Sequence, residues 1–278
     1  RMYIFKRIKE LQHYLKSCHG RIGFVPTMGA LHEGHISLIQ NSKNENEVTV
    51  CSIFVNPTQF NDKKDYEKYP ITIDEDIKLQ IEANTDVLFL PEVDEMYPNG
   101  VEHIKQYEIG YLDTILDGAF RPGHFNGVCN IVHRLLEAVL PHNLYMGEKD
   151  FQQCLVVAQL IAQTGIQVNL ITCPTLREED GLAMSSRNRR LSEKGRQKAT
   201  AIYAVLTSIR TQQQELSFAV LQEQGQQYLQ QQGFEPEYIL LANATNLHLL
   251  DNFTPANDMV VLIAAKLEGV RLIDNMRL

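Results

Sequence analysis

Two histidines, His32 and His35, stand three residues apart in Phe24-Val-Pro-Thr-Met-Gly-Ala-Leu-His-Glu-Gly-His35, a segment running from an apolar strand into a helix. At that spacing the two imidazoles share one helix face. Gly29 and Gly34 let backbone approach a ligand closely, and a helix N-terminus offers N–H groups and a favourable dipole to phosphate. The glycine spacing matches a lysine-bearing phosphate loop, but His35 holds the lysine position and no Ser or Thr follows, so that motif fails. The pair is also one residue short of the zinc-protease spacing. Two readings remain: imidazoles donating hydrogen bonds to charge that grows on phosphate oxygens, or two ordinary surface histidines.

Other segments carry chemistry of the same kind. Phe54-Val-Asn-Pro-Thr-Gln-Phe60 sets the amides of Asn56 and Gln59 at a strand end, where they can recognise a hydroxyl or carboxylate without adding charge. Leu144-Tyr-Met-Gly-Glu-Lys-Asp-Phe-Gln-Gln153 supplies Gly147 for close approach, Lys149 as a phosphate-pairing cation and Asp150 as a helix cap. Arg177 to Arg187, with Gly181, Ser185 and Ser186, reads as a mobile polar loop able to close over a polyphosphate. Arg121 and His124, in a polar turn over 117–125, are able to bind an anion. The acidic run Asp74-Glu75-Asp76 reads equally as an approach to magnesium or as the charged start of a helix.

The elements that must hold these segments follow from apolar periodicity. Ile8, Leu11 and Leu15 give a helical stripe closed by Gly20. Strands are predicted at 22–25, 48–55, 86–90, 143–146 and 167–172, separated by helices. That alternation implies a parallel sheet covered on both faces, with ligands at the carboxyl ends of its strands. After Pro174 the texture changes: 192–232 carries two helical stripes, and strands at 238–241, 259–265 and 270–273 complete a small α+β unit. The domain boundary is placed at 176/177.

Composition narrows the function classes. The net charge of −8 over 278 residues argues against a general nucleic-acid binder. Yet residues 1–176 balance at −7 and 177–278 at −1, and Arg187, Arg189, Arg190, Lys194, Arg196 and Lys198 face only Glu193. No apolar stretch approaches the ~20 residues of a membrane span, and the charges of residues 1–20 interrupt any signal-peptide core. Five cysteines without a C-x-x-C pair predict no structural zinc and a reducing compartment, most simply the cytoplasm.

Taken in order, the motifs 26–35, 53–60, 121–128, 147–153, 180–188 and 271–275 resemble those of the pantoate–β-alanine ligase family of vitamin B5 biosynthesis. The resemblance implies a Rossmann-like parallel-sheet domain of the nucleotidyltransferase superfamily (1–176), a smaller C-terminal α+β lid domain (177–278), and a cytoplasmic homodimer. It implies ATP with Mg²⁺, pantoate and β-alanine as substrates, joined through a pantoyl adenylate. Met28, Gly29, Ala30, Leu31, His32, Glu33, Gly34 and His35 would bind ATP, with His32, His35 and Lys149 catalytic and His35 the proton donor. Gly147, Glu148, Lys149, Asp150 and the backbone at Leu176 would hold the nucleotide, and Met184, Ser185, Ser186 and Arg187 would form the closing loop. Gln59 would contact pantoate and β-alanine, and Gln153 pantoate. Asp117 stands where Glu is common and Leu176 where Val is common. A weakened nucleotide-binding regulator and a nucleotidyl transferase for another small acid share the same ATP motifs, and RNA binding by 187–198 is a further alternative.

Overall fold

In the computed structural model, which describes residues 1–278, the chain divides into two compact units. One comprises Arg1–Glu148 and Gln152–Pro174, the other Lys149–Phe151 and Thr175–Leu278. The division differs from the 176/177 boundary by a main break two residues earlier, after Pro174, and by the excursion of Lys149–Phe151. The causes of that excursion are local: Asn275 Nδ2 donates to the Lys149 carbonyl at 2.9 Å, and the Arg277 guanidinium lies 5.1 Å from the Phe151 ring centroid.

The first unit is built on six parallel strands, β1 (Tyr3–Phe5), β2 (Ile22–Thr27), β3 (Val48–Ile53), β4 (Val87–Phe89), β5 (Asn143–Gly147) and β6 (Asn169–Cys173), in the order β1-β4-β3-β2-β5-β6. Eight helices accompany them: α1 (Ile8–Ser17), α2 (Glu33–Glu45), α3 (Lys63–Glu67), α4 (Ile73–Glu82), α5 (Val93–Met96), α6 (Asp117–Phe120), α7 (His124–Val139) and α8 (Phe151–Thr164). From β2 the chain steps outward to β3 and β4, then returns to the other side of β2 for β5. The strand order therefore reverses between β2 and β5, and such a reversal opens a crevice at the carboxyl ends.

Strand alternation fills both faces of the sheet. Val25, Cys51 and Tyr145 pack with Ile36 and Ile39 of α2, while Ile53 and Leu88 meet Leu31 and the α4 residues Ile73 and Ile77. Their register neighbours Phe24, Val50 and Leu144 turn to the opposite face and are equally buried. Each such side chain contributes roughly 1.5–3 kcal/mol of burial, which fixes the strand ends beneath the loops.

Two differences from the sequence expectation have plain causes. The strand β1, not among those expected, is only three residues long on the sheet edge, so its apolar run Tyr3-Ile4-Phe5 is too short to be read as a strand. Helix α1 stops at Ser17, where Cys18 turns extended, and Gly20 at φ +93° serves the return into β2 instead of the helix end.

The second unit holds a four-stranded antiparallel sheet of β7 (Glu235–Asn243), β8 (Leu249–Leu250), β9 (Met259–Leu267) and β10 (Val270–Arg277), in the order β10-β9-β7-β8. The helices α9 (Glu193–Lys198), α10 (Ala201–Gln212) and α11 (Phe218–Gln231) precede it, three where two stripes were predicted. Leu206, Leu221, Leu229 and Ile263 centre its separate core. No helix of either unit is long and apolar enough to cross a membrane.

Candidate active site

The loop between β2 and α2 is held from within and from below. His32 is the N-cap of α2: its Nδ1 accepts the Gly34 N–H at 3.1 Å, while His35 Nδ1 accepts the His32 N–H at 3.2 Å. Two imidazoles thus perform the reciprocal exchange usually made by a hydroxyl and a carboxylate. Because each Nδ1 accepts, each ring carries its hydrogen on Nε2. The ring centroids lie 4.0 Å apart, so the histidines are one constellation.

Ahead of them, Gly29 and Ala30 both take left-handed backbone, at φ +84° and +49°. For alanine that conformation costs roughly 1–2 kcal/mol. The offset comes from Asp76 on α4, fully buried, whose carboxylate accepts the N–H groups of Ala30 at 2.9 Å and Leu31 at 2.8 Å. Hydrogen bonds to a charged group contribute roughly 1.5–3 kcal/mol each, enough to hold the turn. These two amides are therefore engaged inside the fold, and Ala30 and Leu31 shape the loop. Of the two readings of the acidic run, the structure takes the helix start, with Asp76 turned inward.

At the neighbouring end of β3, Asn56 is buried and wholly committed to the protein. Its Nδ2 donates to Gln59 Oε1 at 2.9 Å and to the Gly127 carbonyl at 3.1 Å, and its Oδ1 accepts Tyr97 Oη at 2.6 Å. Of the two amides at this strand end, Asn56 is turned into the protein and orients Gln59. That bond engages Gln59 through Oε1. The Gln59 carbonyl is itself held by His124 Nδ1 at 2.7 Å. Helix α7 fits against this turn only because residue 127 is glycine, since a Cβ there would sit 2.1 Å from the Thr58 carbonyl oxygen.

Two adjacent glutamines on α8 have separate tasks. Gln152 is buried, donating to the Leu112 and Ile115 carbonyls at 2.7 and 3.0 Å and accepting the Asp117 N–H at 3.1 Å. Gln153 is half-buried and makes no such bonds. Behind them Arg121 lies 3.7 Å from Asp117, 3.3 Å from Asn61 Oδ1 and 3.3 Å from His124 Nε2. Asp117 is buried in this pair, so the shorter carboxylate serves Arg121. Gly147 ends β5, next to β2, and Glu148 follows it.

Within the second unit, the expected mobile loop is a folded hairpin. Leu176 accepts the Met184 N–H at 3.1 Å, Arg177 bridges Ala183, and Glu178 donates to the Leu182 carbonyl at 2.8 Å. Arg177 fixes it from inside, pairing with both oxygens of Asp274 at 2.6 and 3.0 Å and stacking 4.8 Å over Tyr203. Ser185 then caps a 3₁₀ turn at Ser186–Arg190 by accepting the Arg187 N–H, and Ser186 is buried. In the basic cluster, Arg196 is spent on Asp180 at 2.7 Å, which holds that carboxyl below its ordinary range. Lys149 and Asp150 belong to this unit.

The structure therefore brings Met28–His35, Gln59, Gly147, Glu148 and Gln153 onto the carboxyl ends of three adjacent strands, β3, β2 and β5. Lys149, Asp150, Leu176, Met184, Ser185, Ser186 and Arg187 group in the second unit. Sequence reasoning missed Asp76, Gln152 and Gly127 as supports, since each acts across dozens of residues. No group of three or more histidine, cysteine or acidic side chains converges on a point.

A parallel α/β sheet of this order places its ligand crevice at the switch point, where the glycine-histidine loop and the neighbouring amides lie. Comparison with known proteins supplies the class. The family model described as pantoate-beta-alanine ligase matches residues 3–277. A pantothenate synthetase of Cytophaga hutchinsonii is 47% identical over 258 residues, covering 92% of this chain and 90% of that protein. One from Bacteroides fragilis is 45% identical over 99% of both chains. Among solved structures, the pantothenate synthetase of Thermus thermophilus superposes with a TM-score of 0.91 at 39% identity, covering 99% of both chains. The Francisella tularensis pantoate-beta-alanine ligase, complexed with beta-gamma ATP and beta-alanine, gives 0.85 at 37% identity over 99% of this chain and 97% of that one. The chain belongs to the pantoate–β-alanine ligase family, and it is an enzyme of that carbon–nitrogen bond-forming class.

Proposed function

We propose that the chain condenses (R)-pantoate with β-alanine in two steps. A pantoate carboxylate oxygen attacks the α-phosphorus of ATP, pyrophosphate departs, and pantoyl adenylate forms. The β-alanine amine then attacks the acyl carbon, and AMP leaves with the bonding electrons of the acyl–oxygen bond. The observation that carries this reading is the paired Nε2–H imidazoles of His32 and His35 at the β2–β5 switch point. Adenylate transfer needs charge stabilised on phosphate and requires no protein nucleophile, which suits such donors. The Francisella relative's two bound ligands support ATP and β-alanine as substrates here.

In this reading Met28–His35, Gly147 and Glu148 hold the nucleotide, with His35 donating toward the phosphates. Gln59 addresses pantoate and then β-alanine, and Gln153 addresses pantoate. On the family resemblance, Lys149, Asp150, the Leu176 backbone and Met184–Arg187 are assigned to nucleotide binding as well. Mg²⁺ enters on the phosphates as part of the substrate and supplies countercharge there. A cytoplasmic homodimer goes with the same reading.

The test is AMP release from ATP–Mg²⁺, pantoate and β-alanine with each component omitted in turn. AMP formation should need all three, while exchange of pyrophosphate into ATP should need pantoate and no β-alanine. Exchange that proceeds without pantoate, or equal turnover with an unrelated acid, would overturn the assignment.

A further inference from the structure

We infer that Asp76 is a positioning residue for the adenylation step: its carboxylate, delivered from α4, sets the loop conformation that presents His32 and His35. The inference rests on the reading of Met28–His35 as the ATP loop. Three donors converge on Asp76, the N–H groups of Ala30 and Leu31 and the Thr72 hydroxyl at 3.0 Å. The side chain has no exposure to solvent. A carboxylate only accepts hydrogen bonds, so it is matched to such a set, and an amide in its place keeps one acceptor and turns a donor against the other N–H.

The same carboxylate explains the residue types around it. A Cβ at Gly29 would stand 2.9 Å from Ile53 Cγ2 and 3.0 Å from Asp76 Oδ2, so the anchor and Ile53 together fill the space a side chain would need. Ala30 is left-handed where its N–H meets Oδ2, and His32, two residues on, is the helix cap. Asp74 and Glu75, from the same acidic run, are exposed. Position, not charge alone, separates Asp76 from its neighbours.

The test compares Asp76→Asn with Asp74→Asn in the full chain, by pantoate-dependent pyrophosphate exchange and amide hydrogen exchange of the 28–32 segment. Asp76→Asn should lower the exchange kcat about 10²-fold, the usual consequence of a displacement near 1 Å, while KM for β-alanine, read from AMP release in the complete reaction, stays unchanged. Its loop amides should exchange about tenfold faster well below the melting temperature. Asp74→Asn should stay within about twofold of the parent. Ala30→Gly added to Asp76→Asn should recover roughly fivefold, because glycine takes positive φ without the alanine cost. If Asp76→Asn does not fold, Thr72→Val removes one of the three donors and should show about a threefold effect. Parental kcat and loop exchange in Asp76→Asn would overturn the inference. So would recovery by added Mg²⁺, which would make Asp76 a metal ligand, or an equal loss in Asp74→Asn. A parent without pantoate-dependent exchange would count against the proposed reaction, while loop hydrogen exchange would still report on the anchor.

Discussion

Gly127→Ala offers the sharpest single test of how the Gln59 turn is held. The added Cβ would lie 2.1 Å from the Thr58 carbonyl oxygen, 2.4 Å from its carbon and 2.6 Å from Gln59 Cα, where ordinary contact begins at 3.4 Å. Both partners are backbone, so no side chain can swing aside. The turn must retreat by more than 1 Å. That motion strains the Asn56 bond to the Gly127 carbonyl and the His124 bond to the Gln59 carbonyl. Overpacking of this kind costs about 1–3 kcal/mol, against about 1 kcal/mol regained because alanine favours the helix. The net loss of stability should therefore be small, about 0–2 kcal/mol. Activity should suffer more: a displacement of this size costs about 10²-fold, or roughly 2.7 kcal/mol of activation. The assay is pantoate-dependent pyrophosphate exchange beside a thermal melt. A variant with parental kcat/KM for pantoate would refute the claim that this helix contact sets Gln59.

Four other outcomes are expected. His35→Gln keeps an acceptor for the His32 N–H, so the fold should melt within about 1 kcal/mol of the parent while single-turnover adenylation falls about 10²–10³-fold; a parental rate would remove His35 from the chemistry. Gln153→Ala should raise KM for pantoate about tenfold or more, with KM for ATP changed less than about twofold, and equal losses would deny it the pantoate role. Burial pushes the Cys129 thiol up to about 12 and raises Cys51 and Cys173 as well, so iodoacetamide at pH 8 should label half-exposed Cys18 first, as peptide mass spectrometry would show. The sign for stability follows: the stabilising protonated form is full below the ordinary thiol value of 9.0 and is lost as pH rises toward about 12. A melting temperature that climbs over that interval would contradict it.

What the sequence disclosed and what it withheld divide along sequence distance. His32 and His35 cap one another within three residues, and the strand periods of β2, β3 and β5 lie in their own residues, so loop and sheet were readable together. The anchor Asp76 sits 45 residues from Leu31 and Gln152 sits 35 from Asp117. Neither pairing leaves a local trace: one acidic residue in a run of three, and one glutamine of an adjacent pair, look like their neighbours until the helix phase decides which turns inward. Asn56 was undecided for the converse reason, since an amide at a strand end is equally suited to a ligand and to Tyr97. The hairpin at 176–184 read as a loose loop because its order comes from Asp274, nearly a hundred residues onward.

The excursion of Lys149–Phe151 bears on how such a chain can be rearranged. The backbone passes from one unit to the other three times, after Glu148, after Phe151 and after Pro174. A single cut at Pro174 therefore does not release a self-contained module, because the severed piece lacks the Lys149 carbonyl that Asn275 grips and the ring that Arg277 covers. Recombination between relatives at that junction would splice one parent's β10 against another parent's 149–151. Gene fusion, shuffling and deletion thus meet a threefold crossing of the backbone where the sequence shows only a tidy linker.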